Sequence, residues 1–402
     1  MAVTLHETPS ANRIHIGFYG KRNSGKSSLL NAFAGQEVSI VSQEAGTTTD
    51  PVNKPMEIHG LGACVLMDTA GFDDVGELGE SRIGKTKKAA ERTDIALLLC
   101  SDENLDEEER WYRKFRESRT PVIPVINKTD IREDVGKLSA LIKERLGEEA
   151  VSVSAKEGSG LEELKERMLR ALPEDYAQRS ITGDLAKAGD TVLLVMPQDI
   201  QAPKGRLILP QVQTIRELLD KKCLVMSVTT DGLDDALAAL KEAPKLIITD
   251  SQVFRTVYEK KPPESILTSF SVLFAAQKGD IDYYRQSAEA IGALTERSRV
   301  LIAECCTHAP LTEDIGRVKL PRMLRQKYGK GMNIEIVSGT DFPEDLGGYD
   351  LVIQCGACMF NRKYVLARIE RAKRQGVPMT NYGVAIAYLT GILDQISCGN
   401  GQ

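Results

Sequence analysis

The sequence predicts an α/β fold with mostly parallel sheets, and three observations support this prediction. Short apolar runs alternate with polar segments of helical periodicity along the chain, as in parallel sheets covered by helices. The length of 402 residues favours two or three domains at about 150 residues each. Apolar residues make up 42% and charged residues 27% of the chain, so each domain can bury a core.

The first domain is predicted over residues 1–175. Its end is marked by Pro173 and by residues 176–190, which lack strong periodicity. Apolar runs within it predict strands at Ile14–Tyr19, Ala63–Met67, Ile95–Leu99, Val122–Ile126 and Ala150–Val153.

Two smaller α/β domains are predicted over residues 185–265 and 270–402. Turn-forming residues at 260–263, or a little later at 279 and 280, separate them. The first of these domains has predicted strands at Thr191–Met196, Cys223–Val228 and Lys245–Thr249. The second has predicted strands at Val300–Glu304, Asn333–Val337, Leu351–Ile353 and Val377–Thr380.

A glycine-rich segment at residues 20–27 follows the first predicted strand and opens a predicted helix. It fits the pattern G-x-x-x-x-G-K-S, and the surrounding strand and helix are the context that identifies a P-loop. In such a loop backbone amides converge on phosphate oxygens, the lysine reaches the β- and γ-phosphates, and the serine ligates magnesium. Nucleotide binding is therefore predicted for Gly20, Asn23, Ser24, Gly25, Lys26, Ser27 and Ser28, with Lys26 also catalytic.

Three further segments follow in the order that a guanine nucleotide site requires. Asp68, at the end of a strand, is predicted to hold magnesium through water, and the Gly71 amide to sense the γ-phosphate. The carboxylate of Asp130 can accept hydrogen bonds from two N–H groups of guanine that adenine does not present in that arrangement. The predicted base-binding residues are Asn127, Lys128, Asp130, Ser154, Ala155 and Lys156.

A polar stretch between the P-loop and Asp68 contains the run Gly46-Thr47-Thr48-Thr49-Asp50 and predicts a loop. One of its threonines is expected to close on magnesium only when the γ-phosphate is present. Thr48 is the preferred candidate and is counted among the catalytic residues. Thr47 and Thr49 remain alternatives.

The order of these motifs, the Gly-Thr-Thr run and the P-loop asparagine resemble the TrmE-Era branch of GTPases over about the first 170 residues. The resemblance implies GTP hydrolysis with Mg²⁺. It also implies that Asn23 is catalytic, because in potassium-activated members this position supplies an oxygen to a K⁺ ion that replaces an arginine finger. Phe72 follows Gly71 where a Ras-like protein has the glutamine that orients water, so intrinsic hydrolysis is expected to be slow.

Two cysteine groups lie in the third predicted domain, and each directly follows a predicted strand. The first is Cys305-Cys306-Thr-His308 and the second is Cys355-Gly-Ala-Cys358. Since the carboxyl ends of parallel strands lie along one edge of a sheet, the two groups are expected to meet there. Successive strand residues point to opposite faces, and Cys306, two residues before a histidine, is the preferred ligand over Cys305.

The spacing of these donors is compatible with two kinds of metal centre. Cys306, His308, Cys355 and Cys358 would make a closed tetrahedral zinc site. The three cysteines alone would suit a 4Fe-4S cluster with one iron open to an exchangeable ligand. Spacing alone does not choose between the two.

A TrmE-Era-like domain, a small α/β domain and a third domain with these cysteine groups together resemble the HydF family of FeFe-hydrogenase maturation, over the whole chain. The resemblance implies that Cys306, Cys355 and Cys358 bind a 4Fe-4S cluster and that the middle domain dimerises. It implies a scaffold that carries a diiron precursor to apo FeFe-hydrogenase and works with radical-SAM maturation enzymes. Many members have a histidine where this chain has Gln354, so the fourth ligand is His308, Glu313 or water.

Composition limits the other functions that remain open. The net charge is -5, so no general field attracts nucleic acid. No apolar run approaches the roughly 18 residues of a membrane span, and residues 1–13 offer no secretory core, so a cytoplasmic location is expected. The alternative function is a TrmE-Era-like GTPase that acts on RNA and carries a structural zinc site in its last domain.

Overall fold

The structure, a computed structural model, describes residues 9–36, 52–72, 77–172, 179–197, 207–305 and 314–399. The chain divides into two compact units, residues 1–177 and 178–402. Both are mixed α/β, so the predicted fold class is confirmed. Among the described residues, no helix combines the length and apolar character that a membrane crossing requires.

The first unit is built around one mostly parallel sheet. Its strands are β1 (Ile14–Gly20), β2 (Val52–Ile58), β3 (Gly62–Asp68), β4 (Ile95–Leu99), β5 (Val122–Ile126) and β6 (Val151–Ser152). Its helices are α1 (Lys26–Gln36), α2 (Glu77–Ala90), α3 (Asp106–Glu117), α4 (Val135–Leu146) and α5 (Leu161–Ala171). Within the described residues the strand order is β2-β3-β1-β4-β5-β6.

Strand β2, which the sequence did not predict, pairs antiparallel with β3. Gly60 and Gly62 adopt positive φ values of 90° and 80° in the turn between the two strands, a conformation that glycine adopts without steric cost. Pro55 lies inside β2 and weakens its strand signal. Residues 52–58 therefore form a strand because they pair with β3, not because of a strong local sequence signal.

Both faces of this sheet are buried. All five residues of β4 are buried, as expected for a central parallel strand with helices on both sides. On one face Trp111 and Phe115 of α3 pack against Tyr19 of β1, with ring centroids 5.9 and 4.8 Å away. This packing fixes β1 in the middle of the sheet, with its carboxyl end at the edge where the P-loop begins.

The second unit begins with a four-stranded parallel sheet. Its elements are β7 (Thr191–Val195), α6 (Leu209–Asp220), β8 (Leu224–Val228), α7 (Leu233–Ala239), β9 (Leu246–Thr249), α8 (Phe254–Lys260), β10 (Ile266–Ser269) and α9 (Phe270–Lys278). Among the described residues the order is β10-β9-β7-β8. Strand β10 continues this sheet past residue 265, where the sequence placed the end of the domain. Its place in this sheet follows from its pairing with β9, in which Ile266 lies opposite Leu246.

A second parallel sheet follows in the same unit. Its elements are α10 (Ile281–Ala288), β11 (Arg299–Ala303), α11 (Leu320–Tyr328), β12 (Asn333–Val337), β13 (Leu351–Gln354), α12 (Arg362–Arg374), β14 (Met379–Asn381) and α13 (Tyr382–Leu389). The order among the described residues is β12-β11-β13-β14. One hydrophobic cluster includes Leu193 and Ile247 of the preceding sheet together with Ile302 and Ile353 of this one. The two sheets therefore share a core.

Candidate functional site

The P-loop backbone is curled by residues in positive φ. Gly20 has φ 149°, Asn23 has φ 60° and Gly25 has φ 96°. A Cβ on Gly20 would lie 2.6 Å from the carbonyl oxygen of Leu99, and one on Gly25 would lie 2.3 Å from the Nδ2 atom of Asn127. Side chains are therefore excluded at both glycines, and the close backbone path is what lets the loop amides face a phosphate.

Lys26 places its ammonium group inside the curl of this loop. Its Nζ atom donates hydrogen bonds to the carbonyl oxygens of Gly20, at 3.0 Å, and of Lys21, at 2.8 Å. The side chain is buried, and the nearby Ser24 hydroxyl is also buried with no hydrogen-bond partner among the described residues. A buried polar atom without a partner is costly, and a phosphate oxygen would supply one.

Ser27 and Asp68 form the predicted magnesium side of the site. The Ser27 hydroxyl donates to the Oδ2 atom of Asp68 at 2.5 Å. The other carboxylate oxygen of Asp68 is buried and lacks a hydrogen-bond partner among the described residues. Gly71 lies three residues further on, next to the buried Phe72. Thr47, Thr48 and Thr49 lie outside the described residues.

Asn127 connects the P-loop to the two base-binding segments. Its Nδ2 atom donates to the Gly25 carbonyl at 3.2 Å, and its Oδ1 atom accepts from the amides of Lys128, at 2.8 Å, and Ala155, at 3.1 Å. The Lys128 ammonium donates to the Asn23 carbonyl at 2.7 Å. One buried asparagine thus joins three loops, which follow β1, β5 and β6 at the same edge of the sheet.

Asp130 is held in place by Ser154. The Ser154 hydroxyl donates to the Oδ1 atom of Asp130 at 2.7 Å and accepts from the Glu157 amide at 3.2 Å. Asp130 is half-buried and Lys156 is exposed. The structure thus brings the predicted base-binding residues together on two adjacent loops, in an arrangement that can present a carboxylate to guanine.

Lys21 and Glu108 belong to this site region but were not singled out by the sequence. The Lys21 ammonium donates to Asp102 at 2.7 Å and lies 3.6 Å from the Glu108 carboxylate. Glu108 is fully buried, and burial raises its pKa to about 7. The signal was hidden because Glu108 lies in the acidic run at residues 106–109, which is typical of a solvated helix start.

Phe72 packs against the side chain of Trp111. The two rings are stacked, with centroids 4.9 Å apart and planes inclined by 10°. The side chain is 7% exposed. The position at which a Ras-like protein has a water-orienting glutamine is therefore an anchor of the hydrophobic core here.

Cys305 and Cys355, one from each cysteine group, lie in contact at the carboxyl edge of the last sheet. Cys305 follows β11 and Cys355 follows β13, and these strands are parallel neighbours. The Cys305 amide donates to the sulfur of Cys355 at 3.1 Å. Cys306, His308 and Glu313 lie outside the described residues. Among those described, no cluster of three or more histidine, cysteine or acidic side chains forms a metal site.

The environments of the two described thiols in contact differ. A hydrogen bond with Cys305 lowers the pKa of Cys355, whereas burial raises the pKa of Cys305 well above its usual value. Arg368, which is 1% exposed, places a guanidinium nitrogen 3.9 Å from the Cys305 sulfur. Cys355 is therefore the better prepared of the two to bind a metal as a thiolate.

Residues 355–358 form a turn whose backbone contacts the last residue of α9. Ala357 has φ 53°, and the Lys278 ammonium at the end of α9 donates to the Ala357, Cys358 and Phe360 carbonyls at 3.1, 3.4 and 2.9 Å. Burial lowers the pKa of Lys278 to about 8, with the neighbouring thiols acting in the opposite direction. The sequence did not reveal this lysine.

Gln354 lies at the position discussed for a histidine ligand. It is 1% exposed, and its amide nitrogen donates to the Tyr284 hydroxyl at 3.3 Å. The carboxamide nitrogen is therefore engaged with α10, whereas the carboxamide oxygen is buried without a hydrogen-bond partner among the described residues.

The P-loop, the Ser27–Asp68 pair and the Asp130 loop define the first unit as a P-loop GTPase domain. A family model described as 50S ribosome-binding GTPase matches residues 15–128. Two further models match the rest of the chain, the hydrogen maturase F dimerization domain at residues 181–279 and tetramerization domain at residues 282–397. The chain belongs to the hydrogen maturase F family. These domains support a homo-oligomer.

Curated relatives resemble the GTPase part of the chain. GTPase Der of Wolinella succinogenes is 39% identical over 193 residues, which are 46% of this chain and 40% of that protein. The tRNA modification GTPase MnmE of Bordetella petrii is 39% identical over 158 residues, 39% of this chain and 33% of that protein. The chain thus spans less than half the length of these relatives.

A solved structure is also similar to part of this chain. A crystal structure of an Aquifex aeolicus Era variant bound to GDP.AlF4- is 24% identical and covers 54% of this chain and 92% of that chain, with a TM-score of 0.34.

Proposed function

We propose that the chain is a hydrogenase maturation GTPase that also acts as a 4Fe-4S scaffold, carrying a diiron precursor to apo FeFe-hydrogenase. The observation that carries the proposal is the contact between Cys305 and Cys355, in a chain that also has a P-loop joined to the base-binding segments through Asn127. Membership of the hydrogen maturase F family supports it. Apo FeFe-hydrogenase and radical-SAM maturation enzymes are the proposed partners.

The nucleotide chemistry follows from the positions of Lys26, Ser27 and Asp68. GTP and Mg²⁺ fit here, since Lys26 lies in the loop curl and the Asp68 carboxylate has a free buried oxygen beside Ser27. Water is the nucleophile. The remaining proposed contacts are those of Ser28, Gly71, Lys156 and Thr48.

We propose that Asn23 binds a K⁺ ion that stabilises charge on the phosphates. Asn23 adopts a positive φ at the exposed rim of the loop, and Lys128 fixes its carbonyl. GTP hydrolysis should be faster in K⁺ than in Na⁺, and Asn23→Ala should remove the difference, whereas the exposed Asn12→Ala should keep it. Equal rates in both salts for the unaltered protein contradict this role.

The cysteine edge fits a thiolate-bound cluster. Cys355 and Cys358 are half-buried and close enough to influence one another's charge, and Cys306 directly follows Cys305, which touches Cys355. Cys306, Cys355 and Cys358 are the proposed ligands, and His308 and Glu313 the protein candidates for the fourth. The cluster would supply an iron that binds a bridging ligand of the diiron cargo. Thiolate ligands need reducing conditions, so a cytoplasmic location is proposed.

We propose that dimers form along the free edge of β8. This strand ends its sheet in the described part of the chain, and Leu224 at its start is 64% exposed. An unpaired, exposed edge strand is a template for pairing with a second chain. It lies in the segment that matches the dimerization domain.

The decisive experiment is anaerobic purification followed by cell-free activation of apo-hydrogenase. The protein should be brown, give a paramagnetic resonance signal on reduction, and activate the hydrogenase once loaded with diiron precursor. A colourless protein with stoichiometric zinc would instead favour the RNA-directed GTPase. An assembled cluster without activation would contradict delivery but leave the cluster itself standing.

A further inference from the structure

The Lys278 ammonium group is buried directly beneath the Cys355–Cys358 turn. The residue is 5% exposed. Its three hydrogen bonds go to backbone carbonyls of residues 357, 358 and 360, at 2.9 to 3.4 Å. The lysine ends α9, which begins at the strand end of the preceding sheet, so one helix of that sheet supports the cysteine turn of the next.

No carboxylate pairs with Lys278 in the described part of the chain. Its hydrogen bonds place it instead against the backbone of the turn that carries Cys355 and Cys358. Burying an ammonium without an anionic partner costs several kcal/mol as an order of magnitude. Carbonyl dipoles recover only part of that cost, so a charge at this position calls for negative charge nearby.

Arg368, whose guanidinium also lies 3.9 Å from the Cys305 sulfur, shows how the same unit stabilises a buried cation through packing. Its guanidinium lies over the rings of Phe342, Phe360 and Tyr364, at 4.7, 5.0 and 4.8 Å, and donates to the Gly339 carbonyl at 2.6 Å. Three aromatic faces stabilise that charge. Lys278 has one ring near it, Phe274, at 5.8 Å, so aromatic packing does not account for its charge.

We infer that Lys278 is a positioning residue of the metal centre, which braces the cysteine turn and compensates the negative charge of metal-bound thiolates. The inference rests on the proposed cluster site. Bracing alone would need only a neutral donor. A lysine at this position adds a fixed positive charge within the first layer of protein around the ligands.

A fixed positive charge has a measurable effect on a cluster that gains one electron. Reduction by dithionite adds a negative charge to the centre, and a nearby buried cation stabilises the reduced form. Removing the cation should therefore move the midpoint potential to more negative values. It should also reduce the amount of metal bound, because the thiolates lose their counter-charge.

The test compares variants of the full-length chain, reconstituted anaerobically with iron and sulfide. Lys278→Met removes the charge at equal length, Lys278→Gln keeps a neutral donor, and Lys278→Arg keeps the charge. Lys260→Met is the matched control, because Lys260 is an exposed lysine that also ends a helix, α8. The readouts are iron bound per chain and the midpoint potential followed by paramagnetic resonance.

The expected result is a more negative potential for the Met and Gln variants, with the Arg and Lys260 variants matching the unaltered protein. Equal potentials in all variants, or a Gln variant that matches the lysine protein, would overturn the inference. If the Met variant does not fold, the Gln and Arg pair decides by the same comparison. If the unaltered protein takes up zinc and no iron, the proposed function fails, and the zinc affinities of the same variants decide on Lys278.

Discussion

The side chains proposed to bind the guanine base are ordered by contacts within the protein itself. Ser154 orients Asp130 through a 2.7 Å hydrogen bond, and Asn127 ties the Ala155 amide to the P-loop. A carboxylate fixed in advance loses little conformational entropy when it binds. Specificity for guanine should therefore depend on the charge of this one residue.

Asp130→Asn should weaken GTP binding by about 100-fold or more, since two hydrogen bonds to a carboxylate are lost. The new amide can donate to the carbonyl that xanthine has in place of the guanine amine, so binding of XTP should improve. Competition binding between GTP and XTP measures this change in nucleotide preference. Glu133→Gln removes an exposed carboxylate nearby and should change neither affinity. Unchanged preference for GTP in the Asp130 variant would remove this residue from the base site.

Glu108 is a second position at which one side chain is expected to have a large effect, here on the pH dependence of stability. Its buried carboxyl group has a pKa raised to about 7 by desolvation. In the unfolded chain a glutamate titrates near its usual pKa of 4.5. Between these values the folded state binds a proton that the unfolded state does not, so stability falls as pH rises.

The free energy of unfolding of the first unit should therefore decrease as the pH rises between about 4.5 and 7, by up to about 3 kcal/mol. Glu108→Gln should remove most of this dependence, whereas the exposed Glu117→Gln should retain it. Urea unfolding followed by fluorescence measures the effect in this unit alone, because Trp111 is the single tryptophan of the chain. An identical pH profile for both variants contradicts the assigned burial cost.

Strand ends position the loops of both candidate sites. β1, β5 and β6 end at the nucleotide site, and β11 and β13 end at the cysteines. Parallel strands place their carboxyl ends together, so residues far apart in sequence meet without long connections. Helix α9 adds a further role, because it begins at the end of β10 and finishes under the cysteine turn.

The edge strand β8 leads to a prediction about assembly. Leu224→Lys places a charge on the free edge, where it should oppose strand pairing between copies. Light scattering should show a smaller particle than for the unaltered protein. Leu219 is exposed on helix α6, which precedes β8 in the chain. Leu219→Lys should leave the particle size unchanged. Equal sizes for both variants would move the dimer contact away from β8.

In the second unit, the two domains that the sequence predicts are packed against each other. The two sheets of the second unit share one hydrophobic cluster, in which Phe254 and Val272 accompany Tyr364 and Val384. The cysteines and Lys278 all lie within this unit. The unit should therefore fold and bind metal as one body.

A fragment of residues 179–402 should remain folded and bind as much iron per chain as the full protein. A fragment of residues 270–402 should aggregate, because it exposes apolar surface that the preceding sheet normally covers. Circular dichroism and iron analysis after reconstitution distinguish the two. A stable, iron-binding fragment 270–402 would support the predicted boundary between residues 265 and 270 instead.

The nucleotide site was predictable from the sequence because its motifs encode backbone geometry. Gly20 and Gly25 occupy positions where no side chain fits, and Asp68 follows a buried strand. Short apolar runs also located most strands to within one or two residues. These signals are local, so they are legible without knowledge of the partner elements.

Other features depended on contacts between distant segments. The sequence did not show that β10 joins the sheet of β7, β8 and β9, that Glu108 is buried beside Lys21, or that Lys278 lies under the cysteine turn. An exposed and a buried charged residue look alike in a sequence, since burial is decided by what packs against them. The sequence alone determined the fold class and the GTP-binding motifs. Tertiary packing decided which charged groups face the cysteine and nucleotide sites.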